Sequence, residues 1–179
     1  MILYEAINKI VREYVNTVLQ LNIYAIKGKQ PGAPRPTGPY CDIVLVTDTP
    51  LATEERSFEN NLGDDDLTET ITGIRELMLS LSFYREGAID NARGCNIALS
   101  RSSVSSLFSS AGLGILRKSA VREIFEPFES SWEERAQFDI YISVVGSDVD
   151  IVRSIMTVSF SGEFHTRGLK FNLSGDIEE

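Results

Sequence analysis

Carboxylates that are adjacent in sequence are the first side chains that could do chemistry in this chain. Asp64, Asp65 and Asp66 form an acidic run within a turn signal that begins at Asn61. Clustered carboxylate oxygens can bind calcium or magnesium, but a calcium loop places its acids at alternate positions between two helices. Here the acids are contiguous and lie between two strand-like segments. The pattern therefore favours a solvated turn or a contact surface, and we expect no metal.

A second acidic group follows later in the chain, and its members are Glu123, Glu126, Glu129, Glu133 and Glu134. Two carboxyl groups at a fixed separation can serve as general acid and base on a glycosidic bond. Nothing in this spacing fixes such a separation. A solvated acidic turn around Pro127 and Trp132 is the favoured interpretation.

Few other side chains have catalytic potential. His165 is the single histidine, and it lies in a strand-like run without a nucleophile motif beside it. Cys41 and Cys95 form no C-x-x-C pair; we expect both to be reduced and buried, although the sequence alone leaves a disulfide open. The chain has neither a phosphate-binding glycine loop nor a G-x-S-x-G elbow. We therefore expect a protein that is not an enzyme and carries no cofactor.

Composition narrows the class of protein further. The chain has 179 residues, of which 42% are hydrophobic, and a net charge of -9. This length and composition predict one globular domain with one sizeable core. An acidic chain is a poor candidate for gripping nucleic acid, because such binding neutralises phosphates with basic side chains. No apolar run reaches the length of a membrane span, and no secretory signal is expected at the start.

Hydrophobic spacing predicts the elements of the N-terminal part. Apolar residues at spacings of three and four predict a helix over residues 3–18. A short strand is expected at 22–27, an irregular Gly- and Pro-rich connection at 28–39, and a central strand buried on both faces at 40–47.

A long hairpin is predicted in the middle of the chain. One strand is expected at 53–61 and a second at 67–85, where apolar and polar residues alternate. Nineteen extended residues span about 60 Å, whereas a domain of this size has a radius of gyration of about 16 Å. The hairpin should therefore curl strongly or project beyond the core, where it would meet a neighbouring subunit or line a cavity.

The C-terminal part is expected to combine short helices with further strands. We expect helices at 86–100 and 102–110, a strand at 116–125, an antiparallel hairpin of strands 136–145 and 151–164 with its turn at 146–148, and a terminal strand from 169. The residue patterns thus predict the fold class α+β, with one long projecting β-hairpin.

Several short motifs in a fixed order resemble those of tailed-bacteriophage neck or tail-terminator-like proteins. They are RSFENNLGDDDLTET at 56–70, FYR at 83–85, AIDNAR at 88–93 and RSSV at 101–104. The likeness covers about residues 1–165, and the tail from 167 carries none of it. The resemblance therefore implies a single domain over residues 1–166, followed by a tail at 167–179. It also implies the fold of other terminators, a mixed, mostly antiparallel β-sheet flanked by helices.

The resemblance implies a structural virion protein of the phage neck. Such proteins form a homo-oligomeric ring, commonly a hexamer, that caps the tail tube and joins it to the head while DNA passes through the lumen without specific binding. The implied partners are further copies of the chain, the tail tube protein and the head-tail connector or adaptor proteins. The sheath of a contractile tail is a further candidate partner. The family is not enzymatic, and no membrane is involved.

The hairpin and its tip are the predicted contact with a neighbouring subunit or the lumen. The residues of this hypothesis are Arg56, Phe58, Glu59, Asn60, Asn61, Asp64, Asp65, Asp66 and Glu69. Two alternatives remain open at this stage. One is a portal-proximal head-tail connector ring of twelve subunits, an adaptor or stopper, and the other is a small carboxylate enzyme or metal-binding protein.

Overall fold

The computed structural model describes residues 4–20, 24–28, 32, 34–60, 66–124, 126–128, 131–153, 157–166 and 169–178. Its helices are α1 (Tyr4–Leu19), α2 (Ala88–Ala98) and α3 (Ser102–Ser110). Its strands are β1 (Tyr24–Lys27), β2 (Tyr40–Pro50), β3 (Glu55–Asn60), β4 (Asp66–Tyr84), β5 (Leu113–Lys118), β6 (Arg122–Glu123), β7 (Glu126–Phe128), β8 (Ser131–Glu133), β9 (Arg135–Arg153), β10 (Thr157–Thr166) and β11 (Leu169–Glu178).

Most strands of the described chain join one mixed sheet of seven strands. The order along its main path is β1-β2-β4-β9-β5, with β3 paired to β4 and β6 paired to β9. Strand β1 is parallel to β2, whereas β2–β4, β5–β9 and β6–β9 are antiparallel. Two separate hairpins are formed by β7 with β8 and by β10 with β11. The predicted α+β class with a mixed, mostly antiparallel sheet is confirmed.

The chain divides into two compact units. The first comprises residues 1–54 and 72–147, and the second comprises 55–71 and 148–179. The first contains the three helices, whereas β3, β10 and β11 belong to the second. One domain over 1–166 with a tail from 167 stays a prediction.

The hydrophobic core of the first unit lies between the helices and one face of the sheet. Helix α1 buries Ile7, Val11 and Val15 on a single face, as spacings of three and four residues require. The largest fully buried side chains of the core are Tyr14, Phe83, Phe108, Phe138, Ile43, Leu79, Leu81, Ile140 and Ile142. Burial stabilises the fold by about 1.5–3 kcal/mol per large apolar side chain, so this layer fixes the helices on the sheet.

The opposite face of the central strands carries polar side chains that bond to one another. In β4, Ser80 and Ser82 alternate with the buried leucines, yet both are themselves buried. Gln137 of β9 donates to the Ser80 hydroxyl at 2.7 Å, and Arg135 donates to the Ser82 hydroxyl at 3.5 Å. Hydrogen bonding makes the burial of these groups tolerable, so the sheet has one apolar face and one polar, interlocked face.

Several predicted elements are confirmed with small shifts at their ends. They are the helices α1, α2 and α3, the short strand β1, the strand β3, the nineteen-residue strand β4 and the terminal strand β11. The described residues of the Gly- and Pro-rich connection lie in no helix or strand. Cys41 and Cys95 are both buried and free, as expected. Whether the hairpin of β3 and β4 projects from the core stays a prediction.

The predicted turn at residues 146–148 is wrong. Strand β9 continues through Gly146 to Arg153, and β10 pairs with β11 instead of with β9. A Cβ on Gly146 would lie 3.7 Å from Cδ of Arg75 and 3.9 Å from the Gly73 carbonyl oxygen. Both are ordinary van der Waals distances, so the space around Gly146 does not by itself require a glycine. A glycine can stand inside a strand as well as in a turn, and the local sequence does not separate the two cases.

The predicted single strand at 116–125 is also wrong. The structure has β5 at Leu113–Lys118 and the short β6 at Arg122–Glu123. Ser119 lies between them, where its amide donates to the Asp139 carbonyl at 2.8 Å and its hydroxyl accepts from the Asp139 amide at 2.8 Å. The Ser119 hydroxyl thus accepts a hydrogen bond that a backbone carbonyl would accept in a continuous strand.

Two further predictions are corrected. Strand β2 is buried on both faces only at its start, because the register shifts between Leu45 and Thr47 and the Val46 side chain is 51% exposed. The acidic segment around Pro127 and Trp132 is a short hairpin in which these two residues are paired, instead of an irregular turn.

Candidate assembly surfaces

The hairpin of β3 and β4 holds the residues that the sequence predicted as a contact surface. Arg56, Phe58 and Glu59 lie on β3 with exposed side chains. Arg56 Nη1 lies 3.4 Å from Oε1 of Glu69 on β4, and the Ser57 hydroxyl donates to the Thr70 carbonyl at 3.5 Å. The structure therefore brings Arg56 and Glu69 together as an ion pair between the two strands.

The structure describes the two strands that lead to the acidic tip, but not the residues between them. Asn60 ends β3 and Asp66 begins β4. Asn61, Asp64 and Asp65 lie outside the described residues. A role of these carboxylates at a lumen or at a subunit contact stays a prediction.

Exposed apolar side chains recur on strands of the second unit. Phe58 is 57% exposed on β3, and Val149 and Ile151 on β9 are 61% and 70% exposed. Around Val149 and Ile151, β9 alternates with the exposed Asp148 and Asp150, so apolar and acidic side chains point to opposite faces of the strand. Single exposed apolar residues are ordinary, but such an alternation is typical of a strand whose apolar face is covered by another molecule.

A groove with basic walls lies beside α1 and the edge strand β1. Its volume is about 580 Å³, and its lining residues are Lys9, Arg12, Glu13, Asn16, Thr17, Ala25, Ile26 and Lys27. Three of these are cations and one is an anion, in a chain of net charge -9. Lys27 forms an ion pair with Glu5 and lies 5.2 Å from the centre of the Tyr4 ring. The Nε atom of Arg12 is buried and has no hydrogen-bond partner among the described residues.

The carboxylates of Glu133 and Glu134 are bound within the protein, which corrects the prediction of a solvated acidic turn. One oxygen of Glu133 lies 2.7 Å from Arg35 Nη2, and the other lies 3.6 Å from Arg85 Nε. Glu134 accepts from the backbone amides of Gly87 and Ile89, both at 3.0 Å, at the start of α2. Each acid therefore has a partner within the protein.

An aromatic and cationic stack lies on the polar face of the sheet. The rings of Tyr40 and Tyr84 stack with their centres 4.6 Å apart, and the guanidinium groups of Arg35 and Arg135 lie 5.1 and 5.0 Å from the Tyr84 ring. Arg35 also donates to the Tyr40 hydroxyl at 2.6 Å. Burial, followed by the nearby Asp42 charge, raises the pKa of Tyr84 to about 12. Through Arg35, the stack holds the Pro-rich connection on the sheet. Arg85, which is outside the stack, adds a second link because it donates to the Pro36 carbonyl at 2.8 Å.

The buried thiols are poor candidates for reaction. Burial raises the pKa of Cys95 to about 12 and raises the pKa of Cys41 well above its ordinary value. The Tyr14 hydroxyl donates to the Cys95 carbonyl at 2.6 Å, and burial also raises the pKa of this tyrosine. A thiol that stays protonated is a weak nucleophile, so both cysteines serve the core.

The described chain thus offers surfaces for assembly and no grouping of catalytic side chains. Within that part, no three His, Cys, Asp or Glu side chains converge as a metal site requires. None of the described helices is long and apolar enough to cross a membrane. Exposed apolar residues on β9 and a β1 edge without a described partner are features through which a chain can contact other proteins.

Comparison with known proteins agrees with such contacts. The family model described as phage neck terminator protein matches residues 5–166. Because the match spans most of the chain, the protein belongs to the phage neck terminator family, whose members are structural components of the virion neck. A search of curated proteins found no match. Membership implies contact with other proteins of the phage tail and head.

Sequence reasoning missed the basic groove and the partners of Glu133 and Glu134. The alternation of Lys9, Arg12 and Glu13 along α1 was visible as a mixed polar face, but its position against β1 depends on the packing of the helix. The residues around Trp132 did not indicate that Glu133 would pair with Arg35 and Arg85.

Proposed function

We propose that this chain forms a closed homo-oligomeric ring, of six subunits, at the head-proximal end of the tail tube. The ring terminates the tube and joins it to the head-tail connector, and the genome passes through its lumen. Its partners are the tail tube protein, the connector or adaptor proteins and, in a contractile tail, the sheath. In this proposal the protein is synthesised in the host cytoplasm and has no catalytic role.

The observation that carries the proposal is the uncovered apolar face of β9. Val149 and Ile151 are more than half exposed on a regular strand of a phage neck terminator protein. Contact with another chain would remove these side chains from water, which is worth about 25 cal/mol per Å² of apolar surface. Contacts between unlike surfaces on identical chains close into a ring when the rotation allows it.

Charge supports a lumen through which DNA slides without being held. The chain carries 26 acidic and 17 basic residues, and a channel lined by carboxylates repels phosphates instead of neutralising them. The run Asp64, Asp65 and Asp66 is the densest group of carboxylates and is the candidate for the lumen or for the tube contact.

Electron microscopy of the purified protein and of phage necks tests the ring directly. We expect rings with six-fold symmetry at the junction of tube and connector. Rings of twelve subunits against the portal would instead identify a connector, and a protein that stays monomeric both alone and on tails would refute the proposal. A chelator should leave the oligomer unchanged, because no metal takes part.

Removal of the acidic run tests the role of the tip. The triple variant Asp64→Ala, Asp65→Ala and Asp66→Ala should fold like the wild type but give fewer infectious particles when it complements a phage that lacks this protein. The control carries the same change in charge at the exposed residues Glu86, Asp90 and Glu123, each replaced by Ala. Equal infectivity of the two triple variants, or loss of folding in the first, would contradict the assignment.

A further inference from the structure

The edge of β1 is open in the described part of the sheet. Strand β1 pairs with β2 alone and is the first strand of the main path. The Gly28 amide donates to the Ile43 carbonyl at 2.8 Å, so the backbone of Gly28 faces β2. Because neighbouring residues of a strand face opposite sides of the ladder, the backbone groups of Ala25 and Lys27 face outward, into the groove beside α1.

The groove offers donors that no described residue uses. Arg12 lines the groove, and its buried Nε has no hydrogen-bond partner among the described residues, which is an unfavourable state for a donor. The exposed Lys9 lies on the same helix, one turn before Arg12. An extended segment that pairs with β1 and carries carboxylates toward α1 would satisfy both the backbone edge and the guanidinium.

Strand β3 has the properties of such a segment. Among the described strands it pairs with β4 alone, so it too has a free edge. Glu55 and Glu59 are exposed and four residues apart, which places them on the same face of the strand. The strand β5 at the other end of the main path carries Arg117 and Lys118, whose charge has the wrong sign for a basic groove.

We propose that β3 of one subunit adds as a strand to the β1 edge of a second copy of this chain, with Glu55 and Glu59 facing Lys9 and Arg12. The contact joins two unlike edges, so it repeats head to tail, and it gives a ring when the rotation between successive copies closes. It also covers two edges that would otherwise be free to aggregate. The proposal rests on the proposed ring and names the surfaces that hold it together.

Reversal of charge on either side tests the pairing. The variants Lys9→Glu and Arg12→Glu alter the groove, and Glu55→Lys with Glu59→Lys alters β3. Sedimentation velocity should show that each raises the protein concentration at half-assembly at least roughly tenfold, a change that corresponds to about 1.4 kcal/mol. Lys9 is exposed, so its variant keeps the test valid if the half-buried Arg12 proves necessary for folding. Arg93→Glu, on the exposed side of α2, is the matched control and should assemble like the wild type.

The decisive experiment combines the substitutions in the groove and on β3 in one chain. A chain that carries Lys9→Glu together with Glu55→Lys and Glu59→Lys restores opposite charges between position 9 and β3 in every contact of a homo-oligomer. We expect its half-assembly concentration to return toward that of the wild type. A combined variant that assembles no better than the single-side variants would overturn the pairing.

The backbone pairing has its own test. Lys27→Pro removes an amide that faces the groove, whereas Lys27→Ala removes only the side chain and its ion pair with Glu5. Weaker assembly of the proline variant than of the alanine variant supports strand addition, and equal assembly contradicts it. If wild-type rings form and every variant assembles like the wild type, this inference fails while the proposed function stands. If the wild type forms no ring alone or on tails, the proposed function fails as well.

Discussion

The carboxylate of Glu134 is expected to hold the start of α2 in place. Its two oxygens accept from the amides of Gly87 and Ile89, each at 3.0 Å. The first amides of a helix have no partner within the helix, and Gly87, at the N-cap position, has no side chain that could satisfy them. Glu134 comes from a distant part of the chain and therefore fixes α2 to the end of the β7–β8 hairpin.

The cost of removing this carboxylate follows from its two hydrogen bonds. Loss of a capping side chain costs about 0.5–2 kcal/mol, and a negative charge near a helix N-terminus contributes about 0.3–1 kcal/mol. Because Glu134 is only half-buried, water replaces part of what is lost. We expect Glu134→Ala to lower the free energy of unfolding by about 2 kcal/mol, on the scale of those capping values. Glu134→Gln should lower it by about half as much, since the amide keeps one acceptor oxygen.

Urea denaturation followed by far-UV circular dichroism measures the effect. The midpoint should fall while the slope stays constant, and the melting temperature should fall by about 4–8 °C for a chain of this length. The control is Glu86→Ala at an exposed neighbouring carboxylate, which should stay within about 0.5 kcal/mol of the wild type. If Glu134→Ala costs no more than this control, Glu134 does not support α2 as argued.

Three further predictions address the core, the thiols and the exposed strand. Phe138→Ala should destabilise the protein by about 3–5 kcal/mol in the same assay, because the ring is fully buried, and a cost near 1 kcal/mol would contradict this packing. Cys41 and Cys95 should be inert to a thiol reagent in the native protein and both react in guanidinium chloride. Because the pKa of Cys95 is raised from 9.0 to about 12 in the fold, its contribution is complete below pH 9 and is lost as the pH rises toward 12; Cys95→Ala should therefore flatten the alkaline fall in stability. Val149→Ser with Ile151→Ser should weaken assembly by light scattering but change monomer stability by less than about 0.5 kcal/mol, and unchanged assembly would remove the support for the ring from β9.

Membership of the phage neck terminator family agrees with a protein that acts through contacts with other proteins. Among the side chains that the structure describes, Glu134 holds a helix, Glu133 binds Arg35, and the two thiols lie in the core. The surfaces without a described partner are a strand edge and apolar strand residues, which are means of binding other chains.

Hydrophobic periodicity in the sequence determined those helices and strands that depend on residues close together in the chain. The spacing of Ile7, Ile10 and Tyr14 predicted the helix, because a period near 3.6 places them on one face. The structure buries Ile7 and Tyr14 and adds Val11 and Val15 to the buried face. The alternation from Leu77 to Phe83 predicted a strand for the same kind of reason, and the structure confirms the strand and buries these apolar residues. The ordered short motifs between residues 56 and 104 were sufficient to indicate the family, because they depend on residue identity and spacing alone.

Tertiary structure decided which distant segments meet. Gly146 lies inside β9, where the local residues indicated a turn, and β10 takes β11 as its partner instead of β9. The groove beside β1 and the cap on α2 by Glu134 also join residues far apart in the chain. Strand pairing and packing depend on loop closure and on competition among all available partners, so local residue patterns do not encode them.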